Sequence, residues 1–222
     1  VDFLLNPDNL RSFDKGLSEI LIRKEYLPSD SNRYHKADFL YNRLIAIGCK
    51  PSRETVEYWF SGEHRPKIEA SYRKQIYEIC FALNLSLDET IWFFHHVYYD
   101  RSFNCHKIDE AVYYYAFKKN LSYQESLEII KIIESAPIQD ANYIECQNYT
   151  IFVQNQISTI ETNDELISFL VQNKENFNAW NKSAYTELKE IVKLLIPSPT
   201  GIEEIKKLKR TIKRKNKFVG VL

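Results

Sequence analysis

The sequence contains no methionine, five glycines and seven prolines in 222 residues, and it has no long apolar run. So few glycines and prolines are typical of helices joined by short connections. No stretch approaches the roughly 20 consecutive apolar residues that cross a bilayer. The first residues do not follow the pattern of a signal peptide. We therefore expect a cytoplasmic protein without a membrane span.

Cysteine is also scarce. The four cysteines are widely spaced and form no CxxC pair; they are Cys49, Cys80, Cys105 and Cys146. Such spacing predicts reduced thiols rather than a disulfide framework.

Patterns that carry catalysis are missing as well. The sequence has no Gly-rich phosphate loop, no GxSxG elbow and no HExxH motif. The most metal-like group is His95 and His96 with Cys105 and His106. Its spacing does not bring four ligands together, as a zinc site requires. We expect no enzyme activity, no cofactor and no metal.

What the sequence does have is enough apolar material for a packed core and an uneven distribution of charge. Hydrophobic residues make up 44% and aromatic residues 14% of a chain whose net charge is zero. Residues 11–77 hold 13 basic and 9 acidic side chains, residues 78–204 hold 9 and 19, and residues 205–222 hold 8 and none. A basic head, an acidic body and a basic tail favour a nucleic-acid-binding chain. A tail that folds onto the acidic body, or is simply solvated, remains the alternative.

Two short helices joined by a turn are predicted near the N-terminus. Residues 37–47 are amphipathic, a Gly-Cys-Lys-Pro turn follows, and a second helix runs from Ser52 to Ser61, where Gly62 ends it. Val56 and Trp59 lie three residues apart on one face of this second helix. This is the outline of a helix-turn-helix, whose second helix commonly enters the DNA major groove.

The same residues resemble a known family. The spacing of Val56, Trp59, Gly62 and Pro66 resembles the end of the recognition helix in lambda-repressor/Cro-like (XRE) domains. Residues 72–90 resemble the closing helices of that domain. Residues 101–113 are similar to the helical extension of many XRE-like proteins of low-GC Gram-positive bacteria. Leu44, where the family has a small residue, and a longer turn depart from the pattern.

The periodicity predicts an all-α fold, and the resemblance implies its organisation. We expect a five-helix XRE-like domain at residues 12–99, a helical body for dimerisation or sensing at 100–199, and a basic helix or tail at 200–222. The predicted helices cover residues 12–25, 35–47, 52–61, 68–83, 86–98, 107–119, 122–135, 163–173, 182–195 and 200–217. Residues 143–160 are left open, because Tyr149–Val153 is rich in strand-favouring residues.

The candidate DNA-binding residues lie on the second helix of the motif and beside it. They are Lys50, Ser52, Arg53, Tyr58, Ser61, His64, Arg65 and Lys67. Arg53 stands at the start of the helix, where an arginine reads guanine. Lys50, His64 and Arg65 suit phosphates, and Lys67, Arg73 and Lys74 extend that track.

The function expected from these patterns is sequence-specific DNA binding, as a transcriptional regulator that acts as a dimer. The alternative is a helical protein-interaction module whose helix-turn-helix no longer binds DNA. Glu54 and Glu57 motivate this alternative, because phosphates repel carboxylates. The basic tail is expected to bind nucleic acid or an acidic partner. The aromatic group around residues 113–115 is interpreted as core or subunit interface.

Overall fold

The computed structural model describes residues 11–62, 64–137 and 149–177. Within these ranges it has nine α-helices, one π-helical segment and no strand, which confirms the all-α prediction. The α-helices are α1 (Phe13–Arg23), α2 (Arg33–Ala46), α3 (Arg53–Trp59), α4 (Ala70–Ala82), α5 (Leu87–Phe93), α6 (Ile108–Lys119), α7 (Tyr123–Ser135), α8 (Tyr149–Thr159) and α9 (Asn163–Gln172). The π-helical segment, Phe94–Tyr98, continues directly from α5.

The chain divides into two compact units, Val1–Phe177 and Asn178–Leu222. Every described residue belongs to the first unit. The helices predicted at 182–195 and 200–217, the basic tail and Cys146 lie outside the described residues. The domain boundaries predicted at residues 99 and 199 stay predictions. Among the described helices, none is both long and apolar enough to cross a membrane.

Two helices begin with the capping boxes that the sequence predicts. Before α5, the Ser86 side chain accepts from Glu89 N at 3.2 Å, while Ser86 N donates to Glu89 Oε2 at 2.8 Å. Before α7, Ser122 and Glu125 make the same reciprocal pair at 3.2 and 2.7 Å. Each box satisfies backbone donors that a helix N-terminus otherwise leaves without partners.

The hydrophobic core includes the buried faces of the first three helices. Leu17, Ile20 and Leu21 of α1 are fully buried, as their helical spacing predicts. An aromatic cluster continues the core towards α6 and α7; it contains Tyr77, Phe81, Phe94, Phe103, Tyr113, Phe117 and Tyr123. The aromatic group around residues 113–115 is therefore core, with Tyr113 and Tyr115 at most 2% exposed.

The structure resolves residues 149–159 as helix α8, although their composition suggested a strand. Tyr149, Val153 and Ile157 are buried, and they stand four residues apart. That spacing places all three on one side of a helix, whereas a strand would place Ile151 on the same face as Tyr149 and Val153, and Ile151 is 54% exposed. Packing of this one side against α6 overrides the local strand preference.

A buried ion-pair cluster joins α4 to α6. Arg73 Nε and Nη2 donate to the Glu110 carboxylate at 2.9 and 2.6 Å, and Arg73 Nη1 also pairs with Asp100. The Tyr77 hydroxyl and Asn104 N each lie 2.7 Å from Glu110 Oε2. Arg73 and Glu110 are 6% and 2% exposed. Arg73 is thus a core residue, and its predicted place on a phosphate track is wrong.

Gly16 marks a close approach between α1 and the π-helical segment. A Cβ at this position would lie 2.5 Å from Val97 Cγ2 and 2.7 Å from Val97 Cγ1, and Val97 is fully buried. Gly16→Ala is expected to lower the free energy of unfolding by roughly 1–2 kcal/mol. Overpacking of about 1–3 kcal/mol outweighs a gain in helix propensity of up to about 1 kcal/mol. Urea denaturation followed by far-UV circular dichroism measures the loss.

The matched control is the same change in a Val97→Ala background, where the two obstructing methyl groups are gone. There Gly16→Ala is expected to cost clearly less, because only the Cβ of residue 97, at 3.0 Å, remains close to the added methyl group. An equal loss in both backgrounds would show that the contact with Val97 is not what excludes a side chain at Gly16.

Candidate nucleic-acid interface

The helix-turn-helix outline is present in α2, the following turn and α3, which pack against each other. Ile47 ends α2, and Gly48 has a φ of +87°, a left-handed conformation that favours glycine. The turn closes as Cys49 N donates to Leu44 O at 3.0 Å. Ser52 then caps α3 by accepting from Thr55 N at 3.0 Å, as predicted.

The inner face of α3 fixes this short helix against the core. Val56 and Trp59 are 0% and 4% exposed, which places them where the sequence predicted. Phe13 of α1 meets the Trp59 ring edge-on at a centroid distance of 6.4 Å. A helix of seven residues is too short to be stable alone, so this packing holds it in place.

The opposite face of α3 is exposed and acidic. Glu54 and Tyr58 follow one another at a spacing of four, and the Tyr58 hydroxyl donates to Glu54 Oε1 at 2.9 Å. Tyr58 is 45% exposed. The Ser61 hydroxyl, one turn further on, donates to Tyr58 O at 2.9 Å. At about 100° per residue, Glu54 and Tyr58 lie away from Val56 and Trp59; together with Ser61, just beyond the end of α3, we call them the outer strip.

Arg53 lies beside the outer strip and faces α2. Its Nη2 pairs with Asp38 of α2, and its Nε lies 3.6 Å from Glu57 Oε1. Its guanidinium also lies 5.8 Å from the centre of the Tyr41 ring. The only candidate base-reading arginine therefore has two carboxylate partners within the protein. Ion pairs this exposed are weak, at about 1 kcal/mol or less, so they bias the position of Arg53 without locking it.

The loop after α3 carries the other predicted phosphate contacts. His64, Arg65 and Lys67 are exposed, and the His64 ring meets the Tyr58 ring edge-on at 5.0 Å. The Tyr98 hydroxyl donates to Lys67 O, which ties the loop to the π-helical segment. Among the described residues, no carboxylate lies within ion-pair distance of Arg65 or Lys67, nor of Lys50 in the turn before α3.

All eight predicted contact residues lie around α3, and none of them is buried. They are Lys50, Ser52, Arg53, Tyr58, Ser61, His64, Arg65 and Lys67. The Ser52 hydroxyl caps α3, and the Ser61 hydroxyl donates to Tyr58 O, so both hydroxyls make hydrogen bonds within the protein. Lys50 precedes α3, and Arg65 and Lys67 follow it; we call these three exposed cations at the two ends of the helix the cationic rim.

Two residues of α2 belong to this surface and were not predicted. Arg33 and Tyr34 line a shallow groove of about 260 Å³ with Glu57, Tyr58 and Ser61. Tyr34 is 53% exposed, and Arg33 Nη2 donates to its hydroxyl at 2.6 Å. The sequence carries no signal for them, because the groove forms only where α2 and the end of α3 come together in the fold.

The buried thiols offer no reactive centre. Burial raises the pKa of Cys49 to about 12, with a further contribution from the nearby Glu78 carboxylate. Burial likewise raises the pKa of Cys105 to about 12 and that of Cys80 still higher. All three stay protonated thiols at neutral pH, which makes them poor nucleophiles. Within the described ranges, no group of three or more His, Cys, Asp or Glu side chains could hold a metal ion.

Comparisons with protein-family models, with curated proteins and with solved structures found no match to this chain. The resemblance to lambda-repressor/Cro-like domains thus stays a prediction from the residues of the motif.

Proposed function

We propose that this protein binds double-stranded DNA in a sequence-specific manner and acts as a dimeric transcriptional regulator. One observation carries the proposal. None of the eight residues nominated from the sequence is buried, and Tyr58 lies on the side of α3 away from its buried Val56 and Trp59. A short helix anchored by one face, with polar residues over the other and a cationic rim, is the shape that enters a major groove.

Phosphates and bases would meet different parts of this surface. Lys50, Arg65 and Lys67 at the rim suit the phosphates on either side of the groove, because cations there position a protein without reading sequence. The outer strip faces the bases. The cationic rim attracts the DNA phosphates, which the glutamates of α3 would repel.

The helical body supplies a physical link to the turn of the motif. Gln124 of α7 donates from Nε2 to Ile47 O at 2.6 Å, and the neighbouring Tyr123 hydroxyl donates to Glu78 of α4 at 2.9 Å. A Cβ on Gly48 would overlap Gln124 Nε2, so α7 packs directly on the turn. Movement of α7 would therefore shift the turn before α3, which supports an effector-sensing or dimerising role for the body.

Salt-dependent DNA binding tests the proposal. We expect affinity for mixed genomic fragments to fall steeply with salt, and the triple variant Lys50→Ala, Arg65→Ala, Lys67→Ala to reduce the log–log salt slope by about one per residue removed. Fluorescence anisotropy at several salt concentrations measures the slopes. Lys131→Ala, an exposed cation on α7, is the control and is expected to bind like the unaltered protein.

A second function has its own support in the structure. The pairing of Arg53 with Asp38 and Glu57, beside a groove lined by Tyr34 and Tyr58, favours a protein-interaction surface. Tyrosine and arginine are the residues that dominate such interfaces. An absence of DNA binding near physiological salt, or a triple variant that matches Lys131→Ala, would reject the first proposal and favour this one.

A further inference from the structure

The outer strip, not Arg53, occupies the centre of the exposed face of α3. Counting about 100° per residue from Val56, Glu54 stands about 160° away and Arg53 only about 60° away. Arg53 is accordingly directed towards Asp38 of α2. Tyr58 also stands about 160° from Val56, so Glu54 and Tyr58 share the side of α3 that would enter a groove.

The carboxylate of Glu54 is oriented by its neighbour. The Tyr58 hydroxyl donates to Oε1, and the Tyr58 ring is itself held edge-on against His64. A carboxylate offers about four acceptor positions over its two oxygens. One hydrogen bond from Tyr58 therefore steadies the group and leaves acceptor positions for a further donor.

The other carboxylate on this helix is differently placed. Glu57 lies between the outer strip and α2, where its Oε1 faces Arg53 Nε at 3.6 Å. It is thus part of the ion-pair group with Asp38, whereas none of the ion pairs among the described residues involves Glu54. The two glutamates, alike in chemistry and three residues apart, form a natural experimental pair.

We infer that Glu54 reads a cytosine in the major groove, an inference that rests on the proposed DNA-binding function. A carboxylate only accepts hydrogen bonds. In the major groove guanine presents two acceptors, thymine an acceptor and a methyl group, and adenine an acceptor beside its donor. Cytosine presents only a donor, its amino group. It is therefore the base that a carboxylate pairs with best, whereas each of the other three places an acceptor near the carboxylate. Tyr58 is the positioning residue.

Selection of binding sites from a randomised duplex library tests this assignment. The unaltered protein is expected to enrich a C·G pair at one position of each half-site. Glu54→Gln is expected to change the preferred base at that position from C to A, since glutamine pairs with the adenine edge. Its affinity for the original site should fall roughly tenfold or more relative to its own A-substituted site. Tyr58→Phe should flatten the preference there without creating another.

Glu57→Gln is the matched control, because it removes the same charge from the same helix. It is expected to leave every base preference unchanged. A defined consensus that Glu54→Gln leaves unaltered, or that Glu57→Gln alters instead, would overturn the assignment while DNA binding stands. Failure of the unaltered protein to enrich any sequence would overturn the assignment and the proposed function together. Far-UV circular dichroism would confirm that each variant folds, which is expected at exposed positions.

Discussion

Arg73→Ala is expected to lower the free energy of unfolding by about 3–5 kcal/mol, because it leaves the carboxylate of Glu110 buried without its cation. Glu110 is 2% exposed, so water does not replace the lost partner. The cluster also ties α4 to the segment before α6 through the carbonyl oxygens of Arg101 and Ser102. Burial alone would lower the pKa of Arg73, but its hydrogen bonds to Glu110 raise that pKa above the usual value. The guanidinium therefore stays charged wherever the protein is folded.

Urea denaturation followed by far-UV circular dichroism measures the loss. Arg11→Ala is the control, since Arg11 and Glu19 form an ion pair at 2.8 Å with both side chains 40% exposed. That exposed pair is expected to contribute about 1 kcal/mol or less. If Arg73→Ala does not fold, Glu110→Gln is the alternative variant. Glutamine has the shape of glutamate and still offers an oxygen to the donors Tyr77 Oη and Asn104 N, so a smaller but measurable loss of stability is expected. Equal losses for the buried and exposed pairs would contradict the prediction.

Trp59→Ala is expected to cost about 3–5 kcal/mol, the range for removing a large buried aromatic side chain. Trp59 is 4% exposed and packs edge-on against Phe13, so its loss leaves a cavity between α1 and α3. Because α3 has only seven residues, the helix depends on this anchor for its position. The variant is therefore expected to lose both stability and DNA binding.

Tyr58→Ala provides the comparison for stability, because Tyr58 is the adjacent residue on the exposed side of the same helix. It is 45% exposed, and its replacement is expected to change the free energy of unfolding by less than about 1 kcal/mol. Thermal and urea unfolding of both variants by circular dichroism measure the difference. A loss for Trp59→Ala no larger than that for Tyr58→Ala would show that Trp59 does not anchor α3.

Local chemistry made much of the helical framework predictable. The N-cap at Ser52 and the boxes at Ser86 and Ser122 involve partners three residues away, so their hydrogen bonds could be anticipated from spacing alone. The buried positions of Val56 and Trp59 follow from helical period in the same way. Strand-favouring composition was misleading at Tyr149–Val153, because Tyr149 and Val153 are buried while Ile151 between them is exposed, which fits the period of a helix and not that of a strand.

The exposure of the candidate DNA-binding residues was predictable, but the ion pairs that they make within the protein were not. All eight nominated residues are accessible around α3, since their exposure depends on the helical period and on the residues after Gly62. The partner of Arg53 is Asp38, which lies 15 residues away on another helix. No sequence spacing indicates such a pair, so the engagement of Arg53 by Asp38 became evident only where α2 and α3 pack together.

The sequence by itself determined the all-α class, most helix boundaries, the caps at Ser52, Ser86 and Ser122, and the buried face of α3. These features depend on interactions within about four residues along the chain, where residue type and spacing fix the geometry. Only the tertiary structure shows that Arg73 forms a buried ion pair with Glu110, which is 37 residues away. It also shows that Gln124 donates a hydrogen bond to Ile47 O, 77 residues away. Both contacts require distant helices to meet in three dimensions. A charged or polar residue gives the same local signal whether it ends in the core or in water.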